Sequence, residues 1–296
     1  MFKKSYHFLN NVQSNVLTWG DPFNTKGEDV IICVTGNPGV IDFYTDFGAA
    51  LHNYTKLPVC IVGHSGHDIV PDTLSNVLKG REHLYNLKAQ LQHKQDLINI
   101  LDNQSKLHVI GHSIGAWMLV ETLHSDLNLA KRVKSIHLLF PTLQKMAATN
   151  SGFIVDKILR QLHYFVLFLI HFLYLLPKTV LTFLISIYMK ICAIPKHHTT
   201  NILQYINPSI IEKVIMLAYD EMDSVVELNA EGIDRIKHKT NVIYSPTDGW
   251  APLSYIDDLK VFLPEINLIK VNVDHAFVLK SSETVAALVS KHILHP

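Results

Sequence analysis

Leu107-His108-Val109-Ile110-Gly111-His112-Ser113-Ile114-Gly115 is an apolar run ending in a serine that has a glycine two residues to either side. A helical pattern begins at Ala116 and continues to Ser125. The reading is strand, sharp turn, helix, with the serine at the turn. A serine hydroxyl is a poor nucleophile unless the backbone thrusts it toward a base, and so strained a turn tolerates no Cβ on its flanks. By composition such a pentapeptide arises in about one chain in ten of this length. Its weight therefore comes from the strand before it and the helix after it.

Similar apolar runs lie on both sides. Val30-Ile31-Ile32-Cys33-Val34 closes on Gly36-Asn37-Pro38-Gly39, and Val59-Cys60-Ile61-Val62 closes on Gly63-His64-Ser65-Gly66. Residues 136–140, 242–244 and 268–273 complete the set. Continuous apolar strands imply burial on both faces, as in a parallel sheet. Helical patterns over residues 43–54, 78–101, 116–125, 255–262 and 283–293 alternate with them. The fold class is α/β, a mostly parallel, doubly wound sheet.

The alternation stops between the fourth and fifth of these strands, which divides the core into residues 1–144 and 236–296 around a helical cap insertion at 145–235. Within the insertion, residues 164–176 are almost entirely aromatic or aliphatic, run into Pro177-Lys178, and are followed by a second apolar stretch at 180–194. As a helix either arm reaches only about 20 Å, short of a hydrocarbon core of roughly 30 Å. A continuous span would hold Pro177 and Lys178 near mid-bilayer, which is costly. Two short helices kinked at the proline, within a lipid-contacting segment 153–195, are expected to dip into one leaflet or a lipid monolayer without crossing it. The competing reading is a helical cap buried over the site; apolar side chains nearly all round the helix favour lipid. Lys178 requires a shallow apex or a snorkelling side chain, while Lys190 and Lys196 lie where head groups would be.

Composition excludes several classes. With 48% hydrophobic and 18% charged residues the chain can build a sizeable core. Twenty-six basic side chains balance twenty-six acidic ones, so no net field favours nucleic acid. The eighteen histidines are scattered and predict no metal site, and His197-His198 suits a polar loop better than chelation. Cys33, Cys60 and Cys192 read as small core hydrophobes in a reducing compartment. Met1-Phe2-Lys3-Lys4-Ser5 leads into polar residues without an apolar h-region, so no secretory signal is expected there.

A nucleophilic serine needs a base and a group to orient it. On a sheet of this kind the chain order is nucleophile, acid, histidine, each at the carboxyl end of a strand. His275 directly follows the last apolar run and Asp248 follows the one before it. Ser113, Asp248 and His275 therefore have the types, order and strand ends that the chemistry requires; Asp223, Asp257 and Asp274 are rivals for the acid, Asp274 lying too close in sequence to reach round the ring easily. The oxyanion donors would be the Ile114 amide and the Asn37 amide, since Pro38 has no amide hydrogen. Gly63-His64-Ser65-Gly66-His67 is a decoy, because His67 stands where the turn needs a glycine; a loop at the mouth of the site is expected, with His64 and His67 at the surface or, alternatively, lining the pocket.

Gly36-Asn37-Pro38-Gly39 with Phe43-Tyr44, Gly111-His112-Ser113-Ile114-Gly115, Leu139-Phe140-Pro141-Thr142, Asp248-Gly249-Trp250 and His275-Ala276-Phe277 together resemble the lipid droplet-associated hydrolase family, from about residue 30 to 288. The resemblance implies an α/β-hydrolase fold and a helical membrane segment in the insertion. It also implies residence on lipid droplet and endoplasmic reticulum surfaces, on the cytosolic face, and a serine esterase activity on neutral lipids, sterol esters among them. The family's nucleophile, acid and base fall on Ser113, Asp248 and His275. One departure is visible: the family tends to Asp-Pro-Trp where this chain has Asp248-Gly249-Trp250. The expected chemistry is an acyl-enzyme on Ser113, with no metal or organic cofactor. The expected partners are a neutral lipid substrate and a lipid surface. The alternative is a catalytically weak droplet coat or tethering protein.

Overall fold

The computed structural model describes residues 1–295. In chain order the core runs through β1 (Lys3–Leu9), β2 (Val12–Trp19), β3 (Val30–Val34), α1 (Thr45–Thr55), β4 (Val59–Val62), α2 (Leu87–Ile100), β5 (Leu107–His112), α3 (Ile114–Ser125), α4 (Leu127–Arg132) and β6 (Val133–Leu139). The insertion holds α5 (Asn150–Phe153), α6 (His163–Leu175), α7 (Lys178–Ile191), α8 (Thr199–Tyr205), α9 (Pro208–Ser224) and α10 (Ala230–Ile236). The core then resumes with β7 (Thr240–Tyr244), α11 (Leu253–Asp257), β8 (Asn267–Lys270) and α12 (Ser282–Leu294).

The eight strands form one sheet in the order β1-β2-β4-β3-β5-β6-β7-β8. β2 runs antiparallel to β1 and to β4, and every other pair is parallel. The five-residue run of β3 shows why the buried strands carry no polar alternation. Ile31 and Cys33 enter a cluster with Phe47 and Leu51 of α1 and Val285 and Val289 of α12. Val30, Ile32 and Val34 enter the opposite cluster, with Leu97 of α2, Met118 and Leu119 of α3 and Ile233 of α10. Both faces are covered, so both residue sets must be apolar.

Several details differ from the sequence expectation. The antiparallel β1–β2 hairpin has no counterpart among the apolar runs of the sequence. Helix α2 starts at Leu87, not at residue 78, because Asn86 caps it, its Oδ1 accepting from the Ala89 amide at 2.8 Å. The expected helix at 255–262 is α11 followed by a 3-10 turn at Asp258–Phe262. The last strand ends at Lys270, before residue 273.

In the insertion a π-helical turn, Ile154–Leu159, precedes α6, and the chain breaks again at Leu176 and Pro177, both extended. No residue of α6 is buried. Helix α7 buries one stripe, Leu181, Ile185 and Met189, in a small cluster with Ile194 and Ile202. Among the described residues no single helix is long and apolar enough to cross a membrane; Asn150–Leu159 and His163–Leu175 form a pair bent by 89°.

Candidate active site

Strand β5 ends at His112, and Ser113 takes φ 55°, ψ −122° before α3 begins. That conformation costs of order 1–3 kcal/mol for a residue with a Cβ and persists only where the surroundings impose it. They do so by close approach. A Cβ on Gly115 would sit 2.5 Å from the Val34 carbonyl oxygen, and one on Gly111 would sit 2.6 Å from the Ala116 Cα. The two flanking glycines let α3 pack against β3 and β5 at the turn, and the serine is left projecting.

Ser113 Oγ lies 2.9 Å from His275 Nε2, and His275 Nδ1 lies 2.7 Å from Asp248 Oδ2. The second contact requires the ring to donate from Nδ1, which leaves Nε2 to accept the serine hydroxyl proton. The other oxygen of Asp248 accepts from the Trp250 and Ala251 amides at 2.8 and 3.1 Å. Burial by itself raises the Asp248 pKa; the His275 hydrogen bond and charge, with these two amides, overcome that and lower it, so the group is ionised at neutral pH. At the position where the chain departs from the family pattern, the Gly249 carbonyl accepts from the Ser151 amide at 3.2 Å, tying the loop to α5. Of the rival acids, Asp223 pairs with Arg160 at 2.9 Å, Asp257 with Lys260 at 2.7 Å, and Asp274 faces Lys280 at 3.9 Å.

A second hydrogen-bond chain, which the sequence did not disclose, holds the loops around these groups. The Gly36 amide donates to Tyr44 Oη at 2.9 Å, Tyr44 Oη lies 2.6 Å from His112 Nδ1, and His112 Nε2 lies 2.9 Å from the His275 carbonyl oxygen. A carbonyl can only accept, so Nε2 carries the proton and Nδ1 accepts from the tyrosine hydroxyl. Burial, then the neighbouring His275, lower the His112 pKa to about 3, which keeps this neutral tautomer. The loop after β3, the serine turn and the backbone of His275 are thus joined through two side chains. Tyr44→Phe leaves the Gly36 amide and His112 Nδ1 without partners in a dry site, and is expected to cost about 2–4 kcal/mol of stability. Urea denaturation measures this; an unchanged midpoint and slope would show that the chain bears no structural load.

Ile114 and Asn37 lie where the sequence reading puts oxyanion donors, at the start of α3 and in the loop after β3. Among the described residues neither amide donates to another protein group. The Asn37 side chain has a different task. Its Nδ2 donates to Glu221 Oε1 at 2.9 Å and to the Val214 carbonyl at 3.2 Å, fastening the loop to α9 of the insertion. Glu221 is 3% exposed. Burial raises its pKa to about 8, the Asn37 bond opposing this and the Asp220 charge adding to it. A carboxyl whose pKa rises from 4.5 to about 8 on folding holds in the folded chain a proton that the unfolded chain has already released. Its ionisation therefore draws the chain toward unfolding, and stability falls as pH rises through that window. Glu221→Gln keeps the hydrogen bond and removes the titration. Relative to the parent chain it is expected to gain up to about 4 kcal/mol between about pH 5 and about pH 8. Denaturation curves at the two pH values read the difference; parallel pH profiles for both proteins would contradict it.

The decoy loop is also corrected by the structure. His64 and His67 are buried, not at the surface, and His67 Nδ1 lies 2.6 Å from the Pro38 carbonyl, propping the loop after β3 from below. Burial first of all lowers the His67 pKa to about 3, so it too is neutral. Among the described residues, the histidine and carboxylate groups close enough to share an ion are Asp46, His197 and His198, at the junction of α1 with the 3-10 turn Lys196–His198.

The strand order, the serine turn after β5 and the histidine and carboxylate after β8 and β7 define an α/β hydrolase. A solved serine hydrolase involved in carbazole degradation superposes with a TM-score of 0.67, covering 100% of both chains at 11% identity. The profile of the lipid-droplet associated hydrolases matches residues 27–278, and the chain belongs to that family. The lipid droplet-associated hydrolase of Drosophila melanogaster is 35% identical over 97% of this chain and 96% of its own length. That of Mus musculus is 30% identical over 91% of this chain and 86% of its own.

Proposed function

We propose that this hydrolase is a serine esterase acting at a lipid surface on carboxylic esters of neutral lipids, sterol esters or acylglycerols. The observation that carries the reading is the continuous hydrogen-bond chain from Ser113 through His275 to Asp248 at a strained strand-to-helix turn. In the proposed reaction Ser113 Oγ attacks the ester carbonyl while His275 Nε2 takes its proton. Asp248 stabilises the imidazolium and holds its orientation. The amides of Ile114 and Asn37 receive the developing oxyanion. His275 then protonates the leaving alcohol, and water activated by the same ring hydrolyses the acyl-Ser113 ester. Residues 145–235 act in this reading as a cap whose segment 153–195 rests on a droplet monolayer or on the cytosolic face of the endoplasmic reticulum. The test is labelling of the intact protein by a fluorophosphonate, with Ser113→Ala as the control. Absence of labelling in the parent protein would count against a nucleophilic serine.

A second reading has its own observation. Helix α6 buries no residue, although Phe165, Phe168 and Phe172 lie on it; this apolar exposure supports a lipid-binding surface independent of catalysis. As a droplet coat or tether it would keep its cellular effect in Ser113→Ala and lose it when α6 is made polar.

A further inference from the structure

We infer that Asp46, His197 and His198 form a binding site for a zinc-like divalent metal ion that clips the exit of the insertion to helix α1. One ligand atom from each of the three lies within 4.8 Å of the other two, and His197 Nε2 is 3.0 Å from Asp46 Oδ2. Asp46 stands in the first turn of α1, and the two histidines close the 3-10 turn that follows α7. The chain brings them together from opposite sides of the core–insertion boundary, which explains why spacing alone did not disclose them.

The independent pointer to a ligand is His198. It is 2% exposed, its ring centroid lies 4.1 Å from that of His197 and 5.5 Å from that of Phe43, both tilted, and neither ring nitrogen makes a hydrogen bond of full geometry, the Leu279 backbone approaching without closing one. A buried imidazole without a partner is costly, and a coordinated ion would satisfy it. His197 and Asp46 are exposed, so an ion reaches the site through the cavity of about 510 Å³ that they line with Tyr54, Leu279 and Lys280.

Two imidazoles and one carboxylate make a nitrogen-rich donor set, which suits zinc and its neighbours rather than magnesium or calcium. Zinc bonds of about 2.0–2.2 Å in a tetrahedron require ligand atoms roughly 3.3 Å apart. The Asp46–His197 pair, at 3.0 Å, is close to that spacing; the His198 nitrogen, within 4.8 Å of both, would have to draw in to complete the set, with water as the fourth ligand. The ion would replace an exposed side-chain pair by a fixed joint between α1 and the insertion.

The experiment uses the full chain, stripped with a chelator, desalted and titrated with zinc sulfate. Bound zinc is counted by elemental analysis and the melting midpoint followed in parallel. The parent protein is expected to take up one zinc per chain tightly and to melt higher when loaded. Asp46→Asn and His197→Gln change exposed side chains and leave folding intact. Each is expected to weaken uptake by more than the ~10- to 100-fold that follows loss of an outer-shell partner, and to lose the melting shift. His198→Gln should behave alike. Equal zinc uptake by the parent and by Asp46→Asn would assign the metal to other surface histidines, and no uptake by the parent would leave the three residues an ion pair beside a packed ring; either result overturns the site.

Discussion

Ser113→Ala is expected to abolish fluorophosphonate labelling and to lower ester turnover by about 10⁵- to 10⁶-fold, with stability changed by no more than about 1 kcal/mol. In the proposed reaction the turnover loss is large because the hydroxyl, His275 and Asp248 would act as a unit: without the nucleophile, proton transfer to His275 has nothing to activate. The stability change is small because Ser113 Oγ has a single partner, His275 Nε2, on a side chain that retains 18% exposure and can turn to water. Alanine at φ 55° keeps the backbone strain of the serine, so the fold gains nothing from the replacement. Turnover of a soluble short-chain ester by purified parent and variant, with melting curves for both, makes the comparison. Equal rates would remove the esterase reading and leave the coat-protein reading in its place.

How much of this was legible in the sequence differs from element to element. Strands β3, β4 and β5 could be read because they are buried on both faces and so leave uninterrupted apolar runs. Strands β1 and β2 could not. β1 is an edge strand exposed along most of its length, and β2 carries Ser14, Asn15 and Thr18 in buried positions. Of these, Ser14 is satisfied by a partner far away in sequence, His93, whose Nε2 lies 2.8 Å from Ser14 Oγ, while Asn15 Oδ1 is buried without one. Ser113, Asp248 and His275 could be singled out because each follows a strand, and a parallel sheet delivers the carboxyl ends of its strands to one rim. The side chains that brace them follow no such rule. Tyr44 with His112 and Asn37 with Glu221 meet across packing interfaces, and nothing in their local sequence specifies the partner. The burial of His64 and His67 escapes the sequence for the same reason: the loop that holds them is polar in sequence but is fastened to the loop after β3 through His67 and the Pro38 carbonyl.

The second large effect concerns the insertion. Phe165, Phe168 and Phe172 are 62%, 67% and 53% exposed, and their spacing sets them along one side of α6. Fully burying one phenylalanine is worth about 1.5–3 kcal/mol. At these exposures the three together offer a lipid surface about 3–5 kcal/mol, and replacing all three by serine should weaken droplet partitioning by about 10²- to 10⁴-fold. Neither folding nor chemistry should follow, because α6 buries no residue, and its contacts with the body are made by residues such as Leu173, against the α7 cluster, and His163, beside Tyr219 of α9. Helix α7 is the internal control: Leu181→Ser, Ile185→Ser and Met189→Ser remove its buried stripe and should lower the melting midpoint. Flotation with triacylglycerol emulsions coated by a phospholipid monolayer measures partitioning, and hydrolysis of a soluble ester measures the site. A cap closed over the pocket predicts the reverse for α6: unchanged flotation, lower stability and altered turnover. Spanning is disfavoured by length, since the thirteen residues of α6 rise about 20 Å before the chain turns at Pro177, against roughly 30 Å of hydrocarbon. In the proposed reading a helix this apolar, this short and this uncovered would enter a single lipid leaflet, where its aromatic side would be buried without carrying Lys178 through the bilayer centre.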